Sequence, residues 1–200
     1  MNFVIDRGWA FYWGTSEWNA HDIAEACDIV DRLGLARSVY DQAEYHVFER
    51  SRVEYDYVNL YKKYKYGLTT WSPLSSGILT GKYSNGIPEG SRMTLDMARN
   101  WFPDFDEKVA TVARLEPIAK EIGATMAQFA IAWIAANENV STVILGATSV
   151  AQLDENLQAL AFVDKITPEI RAKVDAIVQF QPKVVPSTDP MVHGLRTRFL

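Results

Sequence analysis

Hydrophobic residues along the chain form short continuous runs, separated by stretches in which they recur every three or four positions. The continuous runs are rich in aromatic and β-branched residues, which is typical of strands. They predict four strands, at residues 9–14, 38–45, 67–71 and 141–147.

The stretches between these runs carry helix signals. Apolar residues spaced three and four apart predict a helix that begins near Asn19 and ends at Gly34. Two Ser/Thr-x-x-Gln capping boxes, at residues 125–128 and 149–152, indicate two further helix starts. A third start is indicated by the proline that follows Thr167, because proline is favoured in the first helical turn.

The alternation of strands and helices predicts the α/β class. Strands separated by helices pair in parallel through right-handed crossovers. The four β/α pairs are about half of those in a closed eight-stranded parallel barrel, which typically has about 250 residues. Because residues 1–8 have the pattern of the last turns of a helix that stops at Gly8, we expect the chain to begin within an element and to form an incomplete barrel.

Two segments do not fit this alternation. Residues 84–104 contain two prolines and two glycines and are long for a β/α connection, which favours a functional loop over the strand ends. Residues 181–200 contain prolines and have little periodicity, so we interpret them as a C-terminal tail after a domain at residues 1–180.

Composition narrows the classes of function. The 200 residues include 20 basic and 25 acidic ones, a formal net charge of -5, so we expect no nucleic-acid partner and a phosphate would have to be bound locally. No apolar run approaches the roughly 20 residues that span a bilayer, and the first residues lack the order of a signal peptide, so we expect a cytoplasmic protein without membrane insertion. Cys27 lies at an apolar helical position, which favours a core residue over a reactive thiol.

The segment TTWSPLSSGILTGKY, residues 69–83, carries the first candidate chemistry. Small side chains leave backbone N–H donors accessible, and Lys82 adds a positive charge, which together suit a diphosphate. A plain turn after a strand is equally compatible with the segment. It is not a P-loop, because Gly77 and Gly81 are one residue too close and Tyr83 follows the lysine. The sequence also lacks Gly-x-Gly-x-x-Gly after a strand, which argues against a Rossmann fold.

The segment GATSVAQLDEN, residues 146–156, contains the second group of candidate binding residues. A strand ends at Gly146 and a helix begins at Thr148 or Ser149, and helix N-termini attract anions. One face of this helix carries three polar residues, Gln152, Glu155 and Asn156. Another face carries Leu153, Leu157 and Leu160, which we expect in the core. A polar face is also typical of a helix that is merely exposed to solvent.

Four motifs occur in an order that resembles the aldo-keto reductases: YWGTSEW, QAEYH, TWSPLSSGILTGKY and VILGATSVAQLDEN, at residues 12–18, 42–46, 70–83 and 143–156. Within the family the sequence is most similar to the branch that contains β-subunits of voltage-gated potassium channels. The resemblance covers roughly residues 1–180. It implies an eight-stranded β/α (TIM) barrel that binds NADP(H) across the C-terminal strand ends, with this chain as about the last four β/α units.

The resemblance also implies roles for individual residues. Trp71 would stack on the nicotinamide, and Ser16 and Gln42 would hold its carboxamide, since a planar ring suits an aromatic face and an amide needs a donor and an acceptor. The diphosphate and ribose would lie against the segment after Trp71, through Ser72, Pro73, Leu74, Ser76, Gly77 and Lys82. Arg92, Thr148 and Gln152 would meet the 2'-phosphate, and Glu155 and Asn156 would meet the adenine. Gly146 completes the cofactor-binding set. Because an arginine fork suits a phosphate, NADP(H) is favoured over NAD(H).

Two departures from the family pattern limit what the resemblance implies. Gly90 occupies a position where the channel subunits have an aromatic residue near the adenine. The family's catalytic aspartate, tyrosine, lysine and histidine belong to the first half of the barrel, and no residue here matches those positions, so no catalytic residue is assigned. The three histidines show no triad or metal spacing, and we interpret them as surface or structural residues without a metal site: His21, His46 and His193.

Two classes of function therefore stay open. The first is an NADP(H)-dependent oxidoreductase that acts on small aldehydes or ketones in a full-length parent, with the isolated chain inactive. The second is a non-catalytic interaction protein, either nucleotide-sensing or similar to a channel subunit, or an inactive truncated product. Unpaired strand edges and apolar surface in an open half-barrel would favour an oligomer or a complementary barrel half as partner.

Overall fold

Four parallel strands form one sheet in the order β1-β2-β3-β4. The computed structural model describes residues 1–184, except for the side chains of residues 97 and 98. The strands are β1 (Thr15–Ser16), β2 (Tyr40–Glu44), β3 (Gly67–Trp71) and β4 (Val140–Val143). The α/β class and the parallel pairing predicted from the sequence are confirmed.

Eight α-helices accompany the sheet within residues 1–184: α1 (Asn2–Asp6), α2 (Ala20–Arg32), α3 (Val58–Tyr64), α4 (Asp96–Asn100), α5 (Phe105–Glu121), α6 (Met126–Ala135), α7 (Val150–Leu157) and α8 (Pro168–Val178). Shorter helical segments are the π turn (Ser51–Asp56) and three 3-10 segments, Ser75–Thr80, Arg92–Thr94 and Gln158–Lys165. No helix in this part of the chain is both long and apolar enough to cross a bilayer.

The strand predictions succeeded to different degrees. β3 coincides with the predicted residues 67–71, whereas β2 and β4 are shorter than predicted. The prediction of a strand at residues 9–14 was wrong, since β1 is only Thr15–Ser16 and pairs with β2. Phe11 and Tyr12 in that segment are 88% and 73% exposed. Strand propensity mostly reflects packing against neighbours, and these aromatic side chains have little.

Most predicted helix ends are confirmed. Asn19 caps α2 by accepting from Asp22 N, and Gly34 after the helix has a φ of +64°. Thr125 and Gln128 form the complete capping box of α6. At α7 only half of the box forms, because Ser149 accepts from Gln152 N while the Gln152 side chain bonds elsewhere.

The remaining predicted boundaries are also accounted for. Pro168 opens α8 after the Thr167 cap, and Gly8 follows α1 with a φ of +69°. Residues 84–104 are more ordered than a loop, since they contain a 3-10 segment and α4. Residues 181–184 have no regular structure, and the rest of the predicted tail, including His193, lies outside the described residues.

Successive residues of β2 and β3 alternate between two environments. One side, the buried face, consists of Asp41, Ala43, Leu68 and Thr70, each 0% exposed. It joins a core that includes Cys27, as predicted, and the side chains of α6. The other side, the open face, consists of Ser16, Gln42, Glu44, Thr69 and Trp71, which are half-buried or exposed.

The helix α7 is turned differently from our expectation. The predicted core residues Leu153, Leu157 and Leu160 are 40%, 52% and 69% exposed, so that prediction was wrong. Part of the polar face packs inward instead: Asn156 is buried, and the carbonyl oxygen of Glu155 accepts from Gln128 Nε2 at 3.4 Å, whereas Gln152 is exposed. Helical spacing separates the two faces of a helix but does not say which one meets the neighbouring helix.

Candidate functional site

The open face brings together three residues predicted from three different motifs. Ser16 ends β1 and is paired with Gln42 on β2, and its hydroxyl donates to the Gln42 carbonyl oxygen at 3.1 Å. Trp71 ends β3 and is paired with Glu44 on β2. Since the strands are parallel, their carboxyl ends lie at one edge of the sheet, and an indole, an amide and a hydroxyl are available there together.

Trp71 is held by a residue that sequence reasoning missed. Its indole N–H donates to Glu17 Oε1 at 2.9 Å, and the same oxygen accepts from Glu44 N at 2.6 Å. The other oxygen, Oε2, lies 2.8 Å from Arg52 Nη1 in the π turn. Burial raises the pKa of the Glu17 carboxyl above its ordinary value, although Arg52 acts in the opposite direction. The one available signal was an acidic residue directly after the strand-ending Ser16.

Beneath this edge, the buried face carries a second carboxylate. Asp41 accepts from Thr15 Oγ1 at 2.6 Å and from Tyr57 Oη at 3.0 Å. It also accepts from the backbone N–H groups of Glu17 and Trp18, at 3.2 and 3.4 Å. Burial raises the pKa of Asp41, because the charged form loses its hydration. The network therefore fixes the backbone that leaves β1 and places Glu17.

The chain immediately after Trp71 forms a strained loop, here called the serine loop (residues 72–82). Three of its serines have a positive φ: Ser72 at +54°, Ser75 at +45° and Ser76 at +56°. Left-handed serines are uncommon and cluster at functional sites. The turn is closed by backbone bonds from Ser75 N to the Ser72 carbonyl oxygen and from Gly77 N to that of Leu74, both 2.8 Å.

The conformation of this loop suits an anion. Leu74 has a φ of -104° and ψ of 12°, and the left-handed Ser75 follows it. Right-handed and left-handed residues in succession aim neighbouring N–H groups toward one point, which is the geometry of an anion-binding nest. The preceding Pro73 is buried, which anchors the loop beside Trp71.

Lys82 lies across the glycine of the loop. Gly77 has a φ of +89°, which favours glycine, and a Cβ atom there would be 2.8 Å from Lys82 Nζ, so a side chain at this position would displace the lysine. Lys82 is otherwise exposed, with Nζ 5.0 Å from the centroid of the Tyr83 ring. The residues therefore fit a diphosphate group, because an exposed cation without an ion pair among residues 1–184 lies directly against a glycine.

Arg92 lies on the 3-10 segment Arg92–Thr94, with its side chain exposed. The segment is anchored by Met93, which is 0% exposed and whose carbonyl oxygen accepts from Arg99 Nε at 3.0 Å. The hydrogen bonds and ion pairs described for residues 1–184 do not join Arg92 to Thr148 or Gln152. That Arg92 binds the same phosphate as Thr148 and Gln152 stays a prediction.

At the start of α7, two predicted residues do meet. Thr148 N and Thr148 Oγ1 both donate to Gln152 Oε1, at 2.9 and 3.0 Å. Gly146 precedes them on the exposed segment after β4. Glu155 is half-buried and Asn156 is 4% exposed, so the three residues expected to share an accessible polar face differ widely in access. Contact of Asn156 with an adenine stays a prediction.

The described histidines have different surroundings. His46 is buried, accepts from Phe48 N at 3.2 Å and lies 3.2 Å from Glu44 Oε1, which agrees with a structural residue. His21 is exposed, and its ring lies with Asp22 and Glu25 so that their potential ligand atoms are within 4.8 Å of one another. Histidine and cysteine spacing alone does not indicate this cluster, because two of its three potential ligands are the carboxylates of Asp22 and Glu25.

The chain is similar both to a family model and to individual proteins. The family model described as "Aldo/keto reductase family" matches residues 1–179. A "Probable voltage-gated potassium channel subunit beta" of Arabidopsis thaliana is 48% identical over 186 residues, which cover 92% of this chain and 57% of the relative. A protein of the same name from Oryza sativa subsp. japonica is 50% identical over the same extents. The chain thus spans somewhat more than half of the length of these relatives.

Proposed function

The chain belongs to the aldo/keto reductase family, as its four motifs predicted, and on that premise we propose that it supplies much of the NADP(H)-binding cleft of an oxidoreductase for aldehydes or ketones. The barrel class of the family accounts for the four parallel strands. In this proposal, residues 1–180 are the C-terminal half of the reductase domain, and the protein is cytoplasmic.

One observation supports the proposal most: Ser16, Gln42 and Trp71 share the open face at the strand end where the serine loop begins. The indole offers a flat face to a nicotinamide, and the hydroxyl and amide complement a carboxamide. The serine loop, with Ser72, Pro73, Leu74, Ser76, Gly77 and Lys82, would hold the diphosphate. Arg92, Gly146, Thr148 and Gln152 would meet the 2'-phosphate, and Glu155 and Asn156 the adenine.

The work of this chain in the reaction is binding and orientation. NADPH, when bound, supplies the hydride for the carbonyl carbon. Trp71 would then fix the plane of the ring, and the serine loop and Lys82 would fix the phosphate end, so that the reacting ring cannot drift. The open face would also exclude water from one side of the ring.

Proton donation to the carbonyl oxygen is not assigned to a residue of this chain. The buried tyrosines Tyr45 and Tyr57 each bond a carboxylate, Glu54 and Asp41 respectively. Burial is the main cause that raises the pKa of both hydroxyls, and the carboxylates raise it further. A tyrosine that acts as an acid near neutral pH needs the opposite shift. We therefore expect the isolated chain not to reduce carbonyl compounds.

A second candidate is favoured by the printed name of the two relatives, "Probable voltage-gated potassium channel subunit beta", at 48% and 50% identity. On this alternative the chain is a nucleotide-sensing or channel-associated protein, or an inactive truncated product. The exposed aromatic residues Trp9, Phe11 and Tyr12 beside the short edge strand β1 would suit an oligomer or a complementary barrel half. Co-purification with a voltage-gated potassium channel, without NADPH oxidation by any aldehyde, would favour it.

Fluorescence titration with NADPH and NADH tests the primary proposal. Lys82→Ala should weaken both, because the diphosphate is common to them, by about tenfold, as for loss of one charged contact. Arg92→Ala should weaken NADPH about tenfold and leave NADH unchanged. Lys63→Ala is the matched control, since Lys63 pairs with Asp28 at 3.3 Å elsewhere on the surface. Equal affinity of all three variants and the original chain for NADPH would contradict the proposal.

A further inference from the structure

The strongest unassigned feature is the bond between the Trp71 indole and Glu17, 54 residues apart in sequence. Among the indoles described, that of Trp13 donates to a backbone carbonyl oxygen at 2.9 Å, and that of Trp71 donates to a carboxylate at the same distance. Charge-assisted bonds are stronger and more directional than neutral ones. An indole N–H lies in the ring plane, so an acceptor at a fixed position, together with the attachment of the ring through Cβ, restricts the plane.

Glu17 is itself held on several sides. Its N–H donates to Asp41 Oδ2, at 3.2 Å, and its carbonyl oxygen accepts from Arg52 Nη2 at 3.1 Å. Its carboxylate accepts from Glu44 N and pairs with Arg52 Nη1. Its φ of +58° is unusual for a non-glycine residue, and such strain persists only where the surroundings impose it. The acceptor is therefore fixed by the fold before a ligand arrives.

We propose that Glu17 is a positioning residue that sets the ring plane of Trp71 and so prepares it as a stacking platform. The proposal rests on the proposed function, because the plane matters for a nicotinamide that would lie against it. Rotation of the indole would break the bond to Oε1 and leave the carboxylate with only Arg52 and the Glu44 N–H. The open face is thus pre-organised by a residue that need not touch the cofactor.

The protonation state of Glu17 should make the hydrogen bond of Trp71 depend on pH. The charged groups that face the carboxyl are Arg52 from the π turn and Asp41 from β2. The Glu44 side chain points to His46 and offers only its backbone N–H. As pH falls, the carboxyl takes up a proton at a higher pH than an ordinary glutamate, since burial outweighs Arg52. A neutral carboxyl accepts a weaker bond from Trp71.

Indole 1H–15N resonances of the full 200-residue chain, labelled with [15N]tryptophan, test the inference without a cofactor. Trp71→Phe identifies the resonance. In the original chain we expect the chemical shift of this resonance to change as pH falls. In Glu17→Gln, which retains an oxygen acceptor, the chemical shift should be independent of pH. In Glu17→Ala it should move to the value of an indole N–H without a hydrogen bond to protein. Glu44→Gln is the matched control, because that side chain is bound to His46, and its Trp71 resonance should follow the original chain.

NADPH affinity supplies the second readout. Glu17→Ala should weaken binding by about threefold to tenfold, the cost of immobilising one side chain, whereas Glu17→Gln should restore most of it. An identical, pH-independent Trp71 resonance in the original chain and Glu17→Gln would overturn the inference. The Trp13 and Trp133 resonances show whether Glu17→Ala folds. If it does not fold, the comparison of the original chain with Glu17→Gln tests the inference. A Trp71 resonance that depends on Glu17 in a chain that binds no NADPH would support the positioning role and overturn the proposed function.

Discussion

The two faces of the sheet come from the same strands but place their polar residues under different conditions. On the buried face, Asp41 accepts from two side-chain hydroxyls and two backbone N–H groups. On the open face, by contrast, Ser16 is exposed and Gln42 is half-buried, so their polar groups are accessible. Polar residues that the fold satisfies completely serve stability, and polar residues that it leaves accessible are the ones that can recognise a ligand.

The contrast shows how alternate residues of one strand can serve stability on one face and ligand recognition on the other. Neighbours such as Asp41 and Gln42 differ by one position along β2, and that position decides the face. The buried residue fixes the backbone around Thr15 and Glu17, and the open-face residues depend on that backbone for their geometry. Substitutions on the two faces should therefore separate stability from binding.

The largest expected effect is on the buried face. Asp41→Ala removes the buried carboxylate that accepts from two hydroxyls and two N–H groups, and we expect the free energy of unfolding to fall by about 3 kcal/mol. Gln42→Ala, one residue along, should cost about 1 kcal/mol or less and act on NADPH affinity instead. Urea denaturation of both variants measures this. Equal losses of stability would break the distinction between the faces.

The next effect concerns the backbone of the serine loop. Gly77→Ala forces a Cβ into a left-handed conformation, which should cost about 1–2 kcal/mol, and it should also weaken NADPH because the side chain intrudes on Lys82. Gly86→Ala is the matched control: its φ is +104° and no atom lies within 4 Å of the added Cβ. We expect a comparable stability loss and unchanged NADPH affinity there. Equal binding defects in both would refute a specific role for the loop.

Measuring the free energy of unfolding as a function of pH tests the state of Asp41 on the buried face. The folded chain holds a proton on Asp41 more tightly than the unfolded chain does, since burial raises its native pKa. This contribution to stability is complete below the unfolded pKa and is lost as pH rises through the native one. The stability advantage of the original chain over Asp41→Asn should therefore grow as pH falls from neutral, by about 1.4 kcal/mol per unit of pKa difference. A constant difference from pH 7 to pH 4 would contradict a raised pKa.

The smallest effect is expected on the 3-10 segment that follows α7, Gln158–Lys165. Leu160→Ala should change the free energy of unfolding by about 0.5 kcal/mol or less, because the side chain is exposed. Phe129→Ala in the core is the comparison and should cost about 3–5 kcal/mol. Thermal denaturation measures both. A loss near 2 kcal/mol for Leu160→Ala would mean that this surface is covered in solution.

The sequence predicted elements best where local pattern and tertiary context agreed. β3 is rich in β-branched and aromatic residues, its buried and half-buried residues alternate, and its bounds were predicted correctly. Residues 9–14 have the same propensity but lie beside the edge of the sheet, so propensity alone gave a wrong strand. On α7 the spacing identified two faces, yet packing against α6 decided which was buried.

The candidate site was predictable only within motifs. Ser16, Gln42 and Trp71 came from the family resemblance, and parallel pairing brings them to one edge. Glu17 was missed because its role depends on Trp71 and Arg52, which are distant in sequence and meet it through strand register. The strain of the serine loop was equally hidden, since serine gives no sign of a positive φ.

Hydrogen–deuterium exchange of the chain with and without NADPH tests the central claim, that the open face and the serine loop form the cofactor cleft. The account predicts slower exchange in residues 72–82 and at the start of α7 when NADPH is present, with α2 and α3 unchanged. Unchanged exchange in residues 72–82 at saturating NADPH, or protection confined to α2 and α3, would contradict it.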